Sequence, residues 1–299
     1  MEKKIKISII IPTLNEEKYL PGLLKTIKLQ SFKDYEVIVA DAHSQDKTVE
    51  IAKEYGVKAV KGGMPAVGRN NGAAVAKGDF IFFLDADVEI PPDFLEKAYN
   101  EMRVRHLELA TCEFIPLSDL LIDKVMHSFA NLFIKLNLSI NPHAAGFCIF
   151  VSKELFEKVG GFNESLKMAE DHDFVKRATK HSPLGVLHST KIEVSVRRLE
   201  KEGRIVLFGK YFKSGLQRLI GHKVKISDIE YEFGKYNHSG QKTPESHLRE
   251  FENSLIRLNM AYNRLVARSG KSDEKLNKEL MKLRKLFQEK VRQFRDFIR

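Results

Sequence analysis

Two hydrophobic periods share the first half of the chain. Ile5 to Ile11 is an almost unbroken β-branched run, the pattern of a strand buried on both faces. Pro12 to Glu16 is a turn, and Tyr19, Leu20, Leu23, Leu24 and Ile27 then recur at helical spacing. Tyr35 to Ala40 predicts a second strand ending at Asp41, and residues 46–55 a helix stopped by Gly56. Residues 57–60 suggest a short third strand. Gly62, Gly63 and Gly68 form a loop leading into a helix through Asn71–Ala76. Phe80 to Leu84 is the apolar run expected of a central parallel strand. Strands alternating with helices predict an α/β fold with a parallel sheet, whose ligands bind at the carboxyl ends of the strands. Asp41, Asp85 and Asp87 fall at those ends.

The second half changes character. Residues 117–140 predict an amphipathic helix (Ile122, Met126, Phe129, Phe133, Leu136, Ile140) that either packs in a core or covers an acceptor at a membrane interface. Residues 144–151 suggest a strand, followed by a helix from a Ser152 N-cap to Gly160. Residues 204–222 form a basic amphipathic segment. From Thr243-Pro244 onward, Leu248, Phe251, Leu255, Leu258, Tyr262 and Leu265 are spaced as a coiled-coil seam. After a break at Ser269–Ser272, a second seam runs from Leu276 to Ile298, completing an α-helical hairpin. The expected organisation is one main domain over 1–232, in two halves at 1–115 and 116–232. The basic hairpin, 243–299, follows.

Charge sharpens that division. Residues 1–190 hold 24 Lys and Arg against 26 Asp and Glu, while residues 191–299 hold 26 against 14. The net charge of +10 therefore belongs to the C-terminal third. Such a surface suits an anionic membrane or a phosphorylated substrate, or is simply a solvated helical face. No nucleic-acid signature accompanies it, so nucleic acid is not an expected partner. Cys112 and Cys148 are too few for a disulfide scaffold and predict two buried thiols. With no leader and no long apolar run, the expectation is a cytoplasmic protein, with peripheral attachment to the inner membrane face as an extension.

The strongest chemical signal is Phe82-Phe83-Leu84-Asp85-Ala86-Asp87-Val88. Two carboxylates at i and i+2 past a buried strand suit Mg²⁺ or Mn²⁺ held together with phosphate oxygens. Its neighbours add context, in order: Ser8–Glu17, Val37–Thr48, Arg69–Ala73, then Val159-Gly160-Gly161-Phe162-Asn163-Glu164 and Ala169–Arg177.

Together these motifs resemble family 2 glycosyltransferases of the GT-A fold, over roughly residues 5–205. The resemblance implies a Rossmann-like, mostly parallel sheet flanked by helices. It also implies a non-processive, inverting, metal-dependent transfer of a sugar from a UDP- or GDP-linked donor. Pro12, Thr13, Asn15 and Glu16 would line the nucleotide pocket, with Asp41 at the base and Arg69 at the nucleotide or its diphosphate. Asp85 would contact the nucleotide side and Asp87 the metal, with Glu89 a further metal ligand. Asp171 would be the catalytic base, oriented by Glu170. Arg197 and Arg198, in a stretch resembling S-x-R-R, would clamp the diphosphate or an acceptor phosphate. His188 is a candidate late metal ligand. The acceptor would be a hydroxyl or a lipid phosphate, and the hairpin a membrane contact or a homodimer seam.

Two rivals stand beside this reading. Asp85 and Asp87 also match the nucleophile motif of haloacid-dehalogenase-type phosphatases, although three strands precede the motif here. The chain could instead be a non-catalytic binding module built around its basic tail.

Overall fold

The computed structural model describes residues 4–204, 244–268 and 274–298. The basic segment expected at 204–222 lies, beyond Arg204, outside these residues, as does the break at Ser269–Ser272. Contacts divide the chain into two compact units, one of residues 1–115 and 137–194, the other of residues 116–136 and 195–299.

The first unit is an α/β fold of the GT-A kind, built on one eight-stranded sheet. Its strands are β1 (Ile7–Thr13), β2 (Tyr35–Asp41), β3 (Lys58–Lys61), β4 (Phe80–Phe83), β5 (Val88–Glu89), β6 (Leu109–Pro116), β7 (Ile149–Ser152) and β8 (Leu184–Val194), in the order β3-β2-β1-β4-β7-β6-β8-β5. β3, β2, β1 and β4 run parallel. The β4–β7, β7–β6 and β5–β8 pairs are antiparallel. The buried runs Ile9–Ile11 and Ile81–Phe83 occupy the centre, as continuous apolar strands should.

Helices α1 (Leu20–Lys28), α2 (Thr48–Glu54), α3 (Pro65–Ala74), α4 (Phe94–Val104), α6 (Lys153–Val159) and α7 (Glu170–Ala178) belong to this unit. α1 buries Leu20, Leu23, Leu24 and Ile27, the face its spacing predicts. α3 begins earlier than its periodicity suggests, because Pro65 supplies the pre-set φ of a first helical residue. α6 is bounded as read: Ser152 Oγ accepts from the Leu155 amide, and Gly160 closes the helix at φ 77°.

The strand expected over 144–151 is shorter. The chain turns at Gly146 and Phe147, the Cys148 amide donating to Ala145 O at 2.9 Å, and pairing starts only at Ile149. β6, β8 and α4 were not evident from the sequence pattern. An aromatic cluster joins the central strand to the later motifs. Phe83 meets Phe162 edge-on at 5.0 Å, and Phe162 stacks on Phe174 of α7 at 4.5 Å.

The second unit is helical: α5 (Leu121–Asn137, of which Asn137 already lies in the first unit), α8 (Arg197–Glu202), α9 (Pro244–Arg268) and α10 (Glu274–Ile298). Helix α5 is shorter than the predicted 117–140, and its apolar face is covered. Phe129 meets Phe287 of α10 at 5.3 Å, while Phe251 and Phe294 stack across the hairpin at 4.2 Å. Polar groups are buried here with partners. Lys135 Nζ donates to Asn259 Oδ1 and Asn263 Oδ1, each at 2.9 Å. Fully buried Asp123 accepts from Arg204 Nε at 3.0 Å and from Ser118 Oγ at 2.7 Å.

Candidate active site

The carboxyl ends of β1 and β2 are fixed by a polar lattice. Their register sets Thr13 beside Asp41. Thr13 Oγ1 donates to Asp41 Oδ1 at 3.0 Å, as does Ser44 Oγ at 2.6 Å, and the Ser44 amide donates to Oδ2 at 2.9 Å. Asn15 takes the left-handed conformation, φ 55°, which its short polar side chain tolerates. Its amide donates to Ser44 Oγ and its Oδ1 accepts from the Gln45 amide, both at 2.8 Å. The Glu16 amide donates to Thr48 Oγ1 at 2.8 Å. Pro12, Thr13, Asn15, Glu16 and Asp41 are thus brought together, cross-laced by Ser44 and Thr48. Those two hydroxyls tie the β1 turn to the β2 turn.

The chain then returns close to this wall. Gly62 N donates to Asp41 O at 2.6 Å, and any Cβ on Gly62 would overlap the Ala40 carbonyl and lie 2.7 Å from Asp41 C. Only glycine permits that approach. The helix that follows, α3, packs against β1 and β2, with Gly68 against Pro12 and Ala40.

Arg69, on α3, is the hub of the site. Its side chain is only 4% exposed, with Nη1 2.7 Å from Glu170 Oε1 and Nη2 3.1 Å from Asp85 Oδ1. Its guanidinium also lies 5.5 Å from the Phe162 ring centre. The next residue, Asn70, holds the Gly-Gly-Phe loop as a strand neighbour would. Phe162 N donates to Asn70 Oδ1 at 2.8 Å, and Asn70 Nδ2 donates to Phe162 O at 2.9 Å and Glu164 Oε1 at 2.8 Å. Asn70 lies within the Arg69–Ala73 motif, and its partners, over 90 positions away, leave no local signal.

Asp171 completes the group. Gly146 marks the place: a Cβ there would lie 2.7 Å from Arg69 Nη2 and 3.3 Å from Asp171 Oδ2. Asp171 Oδ1 accepts from the His172 amide at 2.7 Å, and the His172 and His143 rings are 5.5 Å apart. Both acidic residues open α7, where the helix dipole favours negative charge.

The remaining candidates are distributed differently. Asp85, Asp87 and Glu89 are half-buried and alternate with buried Leu84, Ala86, Val88 and Ile90 through the turn that joins β4 to β5. Glu89 Oε1 would lie 3.2 Å from a Cβ on Gly22, so it sits against the first turn of α1. Among the described residues, no three His, Cys, Asp or Glu side chains gather into a metal cage. His188 lies on β8, where its amide donates to Glu101 of α4 at 3.0 Å. Arg197 and Arg198 open α8 in the helical unit, where Arg198 pairs with Glu202 at 2.8 Å.

The sequence profile described as Glycosyl transferase family 2 matches residues 8–160, just over half the chain. The chain belongs to that family. Among relatives of this family 2 glycosyltransferase is an "Uncharacterized glycosyltransferase" of Haemophilus influenzae, 28% identical over 178 residues, covering 56% of this chain and 60% of the relative. Another is the poly(ribitol-phosphate) beta-glucosyltransferase of Bacillus spizizenii, 27% identical and covering 64% and 31%. The chain therefore spans 60% or less of the length of these relatives. In structure the family 2 chain is similar to Staphylococcus aureus TarS (residues 1–349) in complex with UDP-GlcNAc, with a TM-score of 0.54 and 22% identity, covering 75% and 69%. It is also similar to a mannosyltransferase of Pyrobaculum calidifontis in complex with GDP-Man and Mn²⁺, with a TM-score of 0.52 and 16% identity, covering 96% and 85%. Family membership sets aside the phosphatase and the non-catalytic module. No helix among the described residues is long and apolar enough to cross a membrane.

Proposed function

We propose that this chain transfers a sugar from a UDP- or GDP-linked donor to an acceptor hydroxyl, with inversion and with Asp171 as the base. A lipid phosphate is the alternative acceptor. The observation that carries the reading is the cluster of Arg69, Asp85, Glu170 and Asp171 beside the laced pocket of Thr13, Asn15 and Asp41. Relatives bound to UDP-GlcNAc and GDP-Man support the donor class.

On this reading Pro12, Thr13, Asn15, Glu16 and Asp41 receive the nucleoside, and Arg69 keeps Asp85 oriented towards the diphosphate. Asp171 takes the proton of the attacking hydroxyl. Glu170 is ion-paired to Arg69, while Asp171 accepts the His172 amide through Oδ1 and is the carboxylate assigned to the acceptor proton. Direct displacement at one carbon needs only that one base.

Asp85 and Asp87 fit Mn²⁺ or Mg²⁺ as part of a ligand set. Both are half-exposed oxygen donors, and hard divalent cations complete their shells with phosphate oxygens and water. When bound, such an ion supplies neutralisation of charge on the departing diphosphate. Glu89 is the third candidate, reachable if its carboxylate turns away from α1. Arg197 and Arg198 would add cationic charge near a phosphate.

We also assign residues 1–232 to the catalytic module and the basic helices of 243–299 to attachment, either to an anionic membrane or to a second copy. Sedimentation with vesicles of rising anionic lipid content, at low and high salt, separates these: salt-sensitive binding supports the membrane. A concentration-dependent dimer indifferent to lipid supports the second copy. The central test is release of UDP or GDP from a panel of nucleotide sugars with Mn²⁺. Silence across UDP- and GDP-linked donors would defeat the proposal.

A further inference from the structure

Cys112 and Cys148 are the only cysteines in the chain, and the fold sets them face to face. Leu109 pairs with Val151 and Ala110 with Phe150, so the continued β6–β7 register puts Cys112 opposite Cys148. Both are buried, and their Sγ atoms are 3.2 Å apart. Opposed residues of antiparallel strands hold their Cα atoms about 4.5–5.5 Å apart. That lies within the range of roughly 4.4–6.8 Å that a disulfide accepts.

The ladder is altered around this pair. The Cys112 amide donates to Cys148 Sγ at 3.3 Å, and the Thr111 hydroxyl lies 2.8 Å from Cys148 O and 3.4 Å from Cys148 Sγ. Burial opposes charge on Cys148, yet the donors from Cys112 and Thr111 outweigh it and lower the pKa. Burial, reinforced by Cys148, raises that of Cys112 well above the usual thiol value. Of the two sulfurs, Cys148 is therefore the easier to deprotonate and the better placed to attack.

Cys148 also has a short line to the active site. Two residues earlier, Gly146 packs its backbone against the Arg69 guanidinium and the Asp171 carboxylate. The segment leading there has no regular structure from Asn141 to Ala145, and it is exposed at Ser139–Asn141. This gives a route by which a small reagent reaches the pair on local opening.

We propose that Cys112 and Cys148 form a thiol–disulfide site closed by a small disulfide oxidant, and that closure shifts the Gly146 turn against Arg69 and Asp171. Cys148 thiolate attacks one sulfur of the oxidant, breaking its S–S bond and releasing one thiolate. Cys112, losing its proton to that thiolate, attacks Cys148 Sγ and expels the second half of the oxidant as a thiolate, which takes up the proton that Cys148 gave to water. Two protein thiols and one disulfide become one protein disulfide and two small thiols. The S–S bond is about 2.05 Å long, so the sulfurs must close by roughly 1 Å. The strand β6 is hydrogen-bonded on both sides, so the turn before β7 makes the adjustment.

The effect on turnover rests on the glycosyl transfer proposed above; the chemistry at sulfur does not. The test incubates the reduced full chain with oxidised glutathione and follows intact mass. The native chain should lose two hydrogens and retain no glutathione. Cys112→Ala should trap one glutathione on Cys148, and Cys148→Ala should stay unmodified. A native chain left unmodified, one carrying glutathione, or a Cys148→Ala chain that reacts as fast as native would overturn the site. Hydrogen exchange at residues 144–147 and 170–172 should change on oxidation of the native chain and revert with dithiothreitol. Unchanged exchange would overturn the coupling. Nucleotide release from UDP-GlcNAc or GDP-mannose with Mn²⁺ should fall about ten- to a hundredfold on oxidation, the scale of a 1 Å misplacement. It should be insensitive to oxidant in Cys148→Ala, which takes up no glutathione; equal loss in that variant would refute the coupling. A reduced native chain with no release counts against glycosyl transfer on these donors, while the mass and exchange results still decide this proposal.

Discussion

Replacing Arg69 by Met should cost about 2–4 kcal/mol of stability, and the loss should come mainly from Glu170. Arg69 has two carboxylate partners of unequal exposure, Asp85 at 36% and Glu170 at 12%. Water can rehydrate Asp85, so its share should be that of a surface pair, about 0–1 kcal/mol. Glu170 is left as a buried charge with its partner gone, a situation costing roughly 3–5 kcal/mol when burial is complete. Methionine retains much of the arginine stem's packing, which keeps the charge effect separable. The assay is chemical denaturation followed by circular dichroism, on Arg69→Met, Glu170→Gln and the double variant. Neutralising Glu170 should recover most of what Arg69→Met lost, giving a coupling of about 2 kcal/mol. Additivity within about 0.5 kcal/mol would refute the claim that Arg69 and Glu170 act as one unit. A parallel cycle with Asp85→Asn should show the smaller coupling.

Further outcomes follow from the same geometry. Asp171→Asn should keep nucleotide affinity and lower sugar transfer by about two to four powers of ten, measured as nucleotide release with saturating donor. Asp87→Asn should abolish the Mn²⁺-dependent part of UDP or GDP binding without changing the melting temperature of the ligand-free chain; equal Mn²⁺ dependence in both chains would remove the metal role. Gly62→Ala forces a Cβ onto the Ala40 carbonyl and Asp41, so thermal denaturation should show a loss of roughly 1–3 kcal/mol, and nucleotide affinity should fall with it. Burial lowers the His127 pKa, so the unfolded chain binds protons more readily below the usual histidine value of about 6.5. The resulting stabilisation is complete above that value and is lost as pH falls, so melting between about pH 7 and pH 5 should decline more steeply in the native chain than in His127→Gln.

The parts legible in the sequence were those whose pattern repeats over short distances. Ile7–Thr13 and Phe80–Phe83 announce themselves as buried parallel strands because both faces are apolar. Ser152 and Gly160 bound α6 by local capping alone. Leu184–Val194 was harder: Glu193 and Lys191 interrupt its apolar run, and its strand character depends on distant neighbours. The antiparallel half of the sheet is likewise a matter of long-range pairing, which periodicity does not encode. In the candidate site, Asp41 and Arg69 were visible as motif members, but their partners were not. No local signal reveals that Arg69 meets Glu170, 101 positions away, or that Asn70 pairs with the Phe162 backbone. Gly146 illustrates the same limit, because its importance lies in what crowds the space where a side chain would be.

The path of the chain between the two units has a mechanical consequence. It crosses from one to the other after Ile115, returns after Leu136 and leaves again after Val194. The backbone therefore passes three times between the units, and α5 lies between the first and the second passage. Its apolar side is closed by residues such as Phe287, and its buried lysine is solvated by Asn259 and Asn263. Cutting the chain before residue 244 would not release a removable tail. It would strip Phe287 from α5, leave Lys135 to find water, and expose Phe129. Shortened versions of this protein should accordingly clump rather than simplify, and studies of its chemistry belong with the whole chain.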